Sequence, residues 1–427
     1  MIHYKQRSIS IKIRMYISLV LCIMFVSPAM LAQRNNLTDS TETVITYDKD
    51  ESNFASDTGY IQTQALDIGS DRGLFIMSPD KMMQLRIVGS VRGAFNYTGQ
   101  DLSSKSSLNP YEIPTNINTI SPNYYASLSQ TRLGFEVTRQ TKKRGDVFIR
   151  IEADFASFTN VFRLRHAYGQ FTHLIVGQTW SLFSNVSYQP ATVSFDGVAG
   201  SISSRTPQIR FMGDISPKFK YAAAIEYSLP DFSIPDSVKA TPLQVIPDFT
   251  GKISLNTEVF NGSLAAILTT ISGRENSDEI SYGFGYGGSV SGEFKINTKN
   301  KIFFSFTGGQ AISHYIGMLG GQQEDIAYNP EANEFVVLPS TSGFLGYKYD
   351  IMDNLFLDLM AGFIAIDNKD FQADNAFSHC YNALINLFWE PVEGARIGLE
   401  YANGRRFDKG GQKGKANKYL LLMYYDF

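Results

Sequence analysis

The last nine residues constrain the fold more than any other stretch of the chain. Large apolar or aromatic side chains occupy every second position back from the C-terminus: Tyr419, Leu421, Met423, Tyr425 and Phe427. In a β-strand these five side chains point to one face and form a continuous apolar stripe. A terminus in a water-soluble protein usually frays and is polar, whereas the last strand of a barrel in lipid must present apolar side chains outward. The stripe favours a membrane barrel, although the final strand of a soluble β-domain would also show it.

The same alternation recurs upstream, with charged residues on the face opposite the apolar one. In the segment 146–155, apolar side chains alternate with Asp146, Arg150, Glu152 and Asp154. A strand with charges at every second position cannot lie between two dry layers, because burying an unpaired charge is too costly. It suits a wall that has lipid on one side and water on the other.

Sixteen segments with strand character can be counted: 83–97, 132–138, 146–155, 161–171, 173–181, 205–213, 218–228, 248–258, 262–272, 279–296, 300–315, 335–349, 355–366, 375–389, 395–405 and 417–427. Short connections alternate with longer ones near 98–124, 182–204, 229–247, 313–334 and 406–416. Such alternation is typical of barrels in bacterial outer membranes. The sequence therefore predicts an all-β fold, a transmembrane antiparallel β-barrel of about 16 strands, with short periplasmic turns and longer external loops.

The two ends of the chain differ from this pattern. Residues 1–32 hold four basic residues, then an uncharged apolar run and small residues, which predicts a cleavable signal peptide ending near Ala32. Residues 33–73 carry eight acidic and three basic residues and predict a polar extension, followed by the barrel at 74–427. The formal net charge of −3 makes nucleic acid an unexpected partner. After cleavage only Cys380 remains, so no disulfide within the chain is expected.

If the apolar faces contact outer-membrane lipid, the opposite faces line the interior. Basic residues predicted on that inner face are Arg86, Arg92, Arg132, Arg150, Arg163, Arg165, Arg210, Lys218, Lys220 and Arg396. A ladder of arginines down one wall would attract anions and could hold carboxylates bidentately. The alternative is that these residues are solvated wall positions neutralised by carboxylates on the same face, such as Glu136, Glu152 and Asp154.

The connection 181–204 is the candidate constriction. It is rich in aromatic and small residues, including Tyr188 and Phe195, and has a single carboxylate, Asp196. A loop this apolar would promote aggregation if it lay outside the barrel. We therefore expect it to fold inward and to narrow the lumen.

Four stretches, in order along the chain, resemble one known family. They are 162–169 (FRLRHAYG), 176–181 (VGQTWS), 205–211 (RTPQIRF) and 399–401 (LEY). With the terminal Phe427, they are similar to the DcaP-like family of trimeric outer-membrane porins. The resemblance implies a homotrimer of barrels and diffusion of small anionic solutes such as dicarboxylates through an arginine-lined pore. It carries the pore role to Arg163, Arg165, Arg205 and Arg210. The C-terminal stripe resembles the signature of outer-membrane barrels, which implies handling by the barrel assembly machinery.

The sequence offers little that favours bond-making chemistry. Its five histidines are scattered without the close spacing of a metal site, and no nucleophile elbow or phosphate-binding loop is present. We expect no metal and no cofactor. Two alternatives to a channel stay open: an outer-membrane barrel enzyme of the lipase or protease type, and a non-conducting barrel that serves as an adhesin or structural element.

Overall fold

The computed structural model describes residues 72–100, 102–115, 121–141, 145–156, 161–233, 241–274, 280–332 and 334–427. The predicted signal peptide at 1–32 and most of the extension at 33–73 lie outside the described residues. Among the described residues, no helix is long and apolar enough to cross a membrane.

The regular elements of the described residues are 22 β-strands and three single-turn 3₁₀ helices. The strands are β1 Leu74–Met77, β2 Met83–Thr98, β3 Asn123–Ser127, β4 Arg132–Arg139, β5 Val147–Asp154, β6 Arg163–Phe171, β7 Leu174–Trp180, β8 Arg205–Asp214, β9 Phe219–Glu226, β10 Phe232–Ser233, β11 Thr241–Leu243, β12 Asp248–Asn256, β13 Phe260–Arg274, β14 Ile280–Lys295, β15 Asn300–Gln310, β16 Ile326–Asn329, β17 Glu334–Val337, β18 Pro339–Met352, β19 Leu355–Ile366, β20 Phe377–Trp389, β21 Ala395–Asp408 and β22 Lys413–Asp426. The 3₁₀ helices are Pro110–Glu112, Val186–Tyr188 and Ser313–Tyr315.

Sixteen strands close into an antiparallel barrel, which confirms the predicted fold class. They are β2, β4–β9, β12–β15 and β18–β22, each paired with its neighbours in chain order. The barrel closes where β2 meets β22, with Ser90 opposite Asp426 and Thr98 opposite Lys418. Closure leaves no continuous unpaired edge, which is the condition for a sheet to stand in lipid.

The connections differ between the two ends of the barrel. At one end, here called the turn end, they span only 140–146, 172–173, 215–218, 257–259, 296–299, 353–354 and 390–394. At the other, the loop end, they include 99–122, 181–204, 227–247 and 311–338. These long connections carry the short strands β10, β11, β16 and β17 or enter the lumen, and β3 follows the first of them. Strands β2 and β22 begin and end at the turn end, so the barrel starts and finishes on the same side.

One predicted loop differs from the structure. The segment 406–416 continues the hairpin of β21 and β22, which leaves a connection of only 409–412. Arg406 lies opposite Gly414 in this hairpin, and the Arg406 Nε donates a 2.8 Å hydrogen bond to the Asp408 carboxylate. The prediction of a loop from the polar composition of this segment is wrong. A strand that extends beyond the lipid needs no apolar face, so its polarity does not distinguish it from a loop.

Side chains alternate between the outside and the inside of the wall. On β22, Tyr419 is 56% exposed and Tyr425 is 53% exposed, whereas Leu420 and Leu422 between them are buried. All five residues of the C-terminal stripe take the outward-facing positions, with Leu421 only partly exposed. Because the outer face is almost wholly apolar, its large exposed area is suited to contact with lipid rather than water.

The interior is packed along the wall formed by β18–β22. An apolar cluster joins Val193 and Val198 from the connection 181–204 to Phe388 on β20 and Leu422 on β22, and Leu108 from the connection 99–122 extends it. Burial of one such side chain stabilises a fold by about 1.5–3 kcal/mol. Two long connections therefore fill one side of the lumen, and the open space is displaced toward the wall formed by β4–β9.

Candidate functional site

The connection between β7 and β8, residues 181–204, is here called the inward loop. Most of its side chains are buried inside the barrel, and Ile202 forms an antiparallel bridge with Ile316 of the connection 311–338. The loop therefore lies in the lumen, across from the strands that carry the arginines. The sequence predicted this course from the apolar composition of the loop.

Polar side chains from the opposite wall hold the backbone of the inward loop. The Glu400 carboxylate on β21 accepts hydrogen bonds from the backbone N–H of Val193 at 3.1 Å and of Ser194 at 3.0 Å. Asn382 on β20 accepts a bond from the backbone N–H of Ala199 at 3.0 Å. A buried N–H without a partner costs about 1–3 kcal/mol. These inward carboxylate and amide groups therefore fix where the loop crosses the lumen.

Two glycines make room for this crossing. A Cβ atom at Gly362 on β19 would lie 2.0 Å from the carbonyl oxygen of Ala199. Gly200 has φ of +85°, in the left-handed region, and a Cβ there would meet the backbone of Gly343 at 2.5 Å. The loop backbone therefore approaches the wall more closely than any side chain would allow.

A cavity of about 200 Å³ separates the inward loop from the wall of β4, β6 and β8. Four arginines line it, and it is here called the arginine cavity: Arg132, Arg163, Arg165 and Arg205. Residues 189–197 of the inward loop form its other side. The Arg205 guanidinium lies 3.6 Å from the ring centroid of Trp180, a cation–π contact that holds it at the edge of the cavity.

Two carboxylates on β5 orient two of these arginines. Arg163 makes a bidentate pair with Asp154, with N–O distances of 2.9 and 2.8 Å. Arg165 donates to Glu152 at 2.7 Å and to Asp154 at 2.8 Å. A register shift between β5 and β6 opposite Glu152 turns both Arg165 and His166 inward. Such a bulge redirects a side chain and places two arginines beside the same pair of acids.

The remaining predicted arginines lie elsewhere on the inner wall. Arg86 and Arg150 contact Glu136 at 2.8 and 3.7 Å, nearer the turn end. Arg92 lies at the closure of the barrel, 3.6 Å from Asp426. Arg210 lines a separate cavity on the turn-end side of the inward loop. The predicted ladder is thus divided into groups, and carboxylates contact several of its members.

The candidate constriction residues are divided between the two cavities. Phe195 and Asp196 line the arginine cavity, and the Arg163 guanidinium lies 5.4 Å from the Phe195 ring centroid. Asp196 accepts a hydrogen bond from the Ser107 hydroxyl, and burial raises the pKa of its carboxyl. Tyr188 lines the turn-side cavity instead. Trp180, which contributes to both cavities, was not selected from the sequence, although its position at the end of β7 beside the inward loop was visible there.

A closed barrel of sixteen antiparallel strands, with apolar residues outside and a long loop folded into its lumen, defines an outer-membrane porin. Comparison with known protein families identifies the family to which the chain belongs. The chain belongs to the DcaP outer membrane protein family, whose profile matches residues 47–427.

Solved structures share this fold. The outer membrane channel DcaP of Acinetobacter baumannii superposes with a TM-score of 0.73 and 23% identity, covering 82% of this chain and 99% of that one. OmpT of Vibrio cholerae gives 0.54 and 12%, covering 83% and 100%. An anion-selective porin from Comamonas acidovorans gives 0.53 and 9%, covering 81% and 100%. At these identities the likeness shows the fold alone. No curated protein sequence matches the chain.

Proposed function

We propose that the barrel is a passive diffusion channel for small polar solutes and that the arginine cavity makes it selective for anions. The observation that carries the proposal is the convergence of Arg132, Arg163, Arg165 and Arg205 on one side of the space left by the inward loop. Selection would depend on the width of the passage and on its electrostatic field rather than on chemistry.

The charges around the cavity favour a positive potential. Four guanidinium groups face three carboxylates, those of Glu152, Asp154 and Asp196, so cations outnumber acids around the cavity. Arginine binds carboxylates through two parallel N–H donors. A solute with two carboxylates could therefore exchange between neighbouring guanidinium groups, which agrees with the dicarboxylate-like solutes that the family resemblance implies.

The best single substitution to test anion selectivity is Arg205→Gln. Arg163 and Arg165 are paired with buried acids, so removing either would leave a carboxylate uncompensated. The described contact of Arg205 is with the Trp180 ring instead. We expect R205Q to lower the ratio of chloride to potassium permeability a few-fold, measured as the reversal potential of single channels under a KCl gradient. Arg405→Gln is the matched control, because Arg405 faces outward near Tyr381.

Three results would contradict the proposal. Cation preference in the unmodified protein would remove the anion-selective role of the cavity. Absence of conductance from protein shown to be folded would favour an adhesin or structural barrel. Hydrolysis of ester, lipid or peptide substrates in detergent would favour the enzyme alternative.

We further propose that the protein assembles as a homotrimer through the wall of β4–β9. These strands have only 7–10 residues, whereas β18–β22 have 12–14. A wall that is buried among neighbouring barrels can have shorter strands than a wall that faces the surrounding lipid. In the same recordings, a trimer would give conductance steps in groups of three, and independent single steps would argue against it.

We also propose how the protein is delivered to the membrane, on the basis of the residues at the two ends of its sequence. Residues 1–32 would act as the signal peptide, and the barrel assembly machinery would engage the stripe that ends at Phe427. The outward exposure of the stripe supports this proposal, because a binding partner can contact these side chains before the barrel is inserted into lipid. The exposed members are Tyr419, Met423, Tyr425 and Phe427. Mass spectrometry of the mature protein would show whether cleavage follows Ala32.

A further inference from the structure

A second cavity lies on the turn-end side of the inward loop and is here called the turn-side cavity. Its volume is about 90 Å³, and it is bounded by the inward loop and by β8, β9 and β12. Three basic side chains, Arg210, Lys220 and Lys252, line it together with Ser254 and Asn256. From the sequence, Arg210 is predicted to line the pore and Lys220 to lie on the inner face, whereas Lys252 is not predicted at either place. The structure places three cations from three successive barrel strands around one small space.

The described hydrogen bonds of two of these cations go to neutral oxygens. The Arg210 Nε donates to the side-chain oxygen of Gln208 at 2.9 Å, and its Nη2 donates to the carbonyl oxygen of Trp180. The Lys252 ammonium donates to the carbonyl oxygen of Ser184 at 2.7 Å. These bonds orient the cations without neutralising them. In the arginine cavity, by contrast, Arg163 and Arg165 contact carboxylates directly.

The acid associated with this region is occupied by other donors. One oxygen of Glu226 accepts bonds from the backbone N–H of Leu182 at 2.7 Å and from the Thr250 hydroxyl at 2.8 Å. The other accepts a bond from the Thr206 hydroxyl at 3.0 Å. Glu226 therefore anchors the start of the inward loop. Its charge tempers the local potential but does not reach either cation as an ion pair among the described contacts.

Arg210 is buried and Lys252 is half-buried, and cations that are held by neutral acceptors keep donors for a ligand. A guanidinium has five N–H donors and an ammonium has three, and the described bonds use two and one of them. Placing such groups together in a low-dielectric site is unfavourable unless an anion joins them. The space available suits one oxyanion group rather than an extended molecule.

We propose that the turn-side cavity is a second anion-binding site, which takes one compact oxyanion group such as sulfate, phosphate or a solute carboxylate. The inference rests on the proposed function, because an anion would reach this site by passing the inward loop. The two cavities lie in series, with Trp180 and Val186 contributing to both. The arginine cavity then selects an anion, and the turn-side cavity retains it.

The test is block of chloride current by sulfate in planar bilayers containing the full-length channel. Sulfate is titrated into each compartment in turn, and the concentration that halves the single-channel current is measured. We expect Lys252→Met to raise that concentration at least tenfold and Lys252→Arg to restore it to near the original value. Lys218→Met is the matched control, because it removes the same charge from an exposed turn, and it should leave sulfate block unchanged.

Lys220→Met provides an independent variant, since Lys252 also tethers the inward loop through Ser184. Weakened sulfate block in K220M supports the site even if K252M does not fold. Unchanged block in every folded variant of this cavity overturns the proposal. If R205Q loses anion preference while K252M and K220M keep full sulfate block, the proposed channel function stands and the second site is wrong.

Discussion

At the scale of the residue, the position of the inward loop depends on the absence of a Cβ atom at Gly362. Gly362 lets the carbonyl of Ala199 approach to a distance that no Cβ contact tolerates. The same loop segment is held there by the hydrogen bond from Ala199 to Asn382. A single methyl group at position 362 therefore acts directly on the width of the passage.

We predict that Gly362→Ala displaces the inward loop away from β19, toward the arginine cavity, and lowers single-channel conductance. The added Cβ would lie 2.0 Å from a backbone oxygen, so the loop must move, because the strand is fixed by its ladder on both sides. Overpacking of this kind costs about 1–3 kcal/mol, which lowers thermal stability without preventing closure. Gly308→Ala is the control, since nothing lies within 4 Å of a Cβ there. Equal conductance in both variants would show that the loop does not limit the passage.

At the scale of the element, two long connections meet across the loop end. The Tyr111 hydroxyl donates a 2.9 Å hydrogen bond to Glu324, and Asn109 donates to the carbonyl of Met318 at 3.1 Å. Burial raises the pKa of Glu324 to about 7; Tyr111 and Arg406 oppose the rise, and Asp325 adds to it. The contact between the connections 99–122 and 311–338 therefore depends on a carboxyl that titrates near neutral pH.

We predict that this contact weakens as pH rises through about 7. The folded pKa of Glu324 lies above its ordinary value of 4.5, so its contribution is fully present at low pH and is lost as the buried group becomes charged. Hydrogen exchange of residues 109–113 and 319–326, corrected for the intrinsic rate, should increase between pH 6 and pH 8. Glu324→Gln, which stays neutral, should remove most of this dependence. A pH profile that is the same in E324Q would assign the change to another group.

The strands could be predicted from the sequence, whereas the arrangement of side chains in the lumen could not. Period-two alternation identifies a strand locally, because one face meets lipid and the other does not. The inner geometry depends on distant partners: Glu400 lies 206 positions from the Ser194 that it holds. The bulge that turns Arg165 toward Glu152 is a property of pairing rather than of composition. Lys252 stands alone in its strand and becomes notable only beside Arg210.

At the scale of the whole molecule, closure of the barrel brings the two ends of the chain together. Phe427 and Gly89 exchange two backbone hydrogen bonds of 2.9 and 3.0 Å, and β1 pairs with the start of β2 beyond the reach of β22. Arg92 and Arg72 approach Asp426 at 3.6 and 4.0 Å. Because the closing seam joins residues that are far apart in sequence, its formation carries a large loop-closure entropy.

We predict that Gly89→Val impairs barrel closure, because a Cβ at position 89 would lie 2.2 Å from the Phe427 ring. The ring would have to leave its place on the first barrel strand, which removes its packing from the seam beside the two backbone hydrogen bonds of Phe427. The folded fraction, measured by the faster migration of unheated barrels in gels, should fall severalfold. Gly251→Val is the matched control, since a Cβ on β12 meets nothing within 4 Å. If G89V folds as well as G251V, the terminal ring does not contribute to closure, and the apolar stripe acts through its outward face alone.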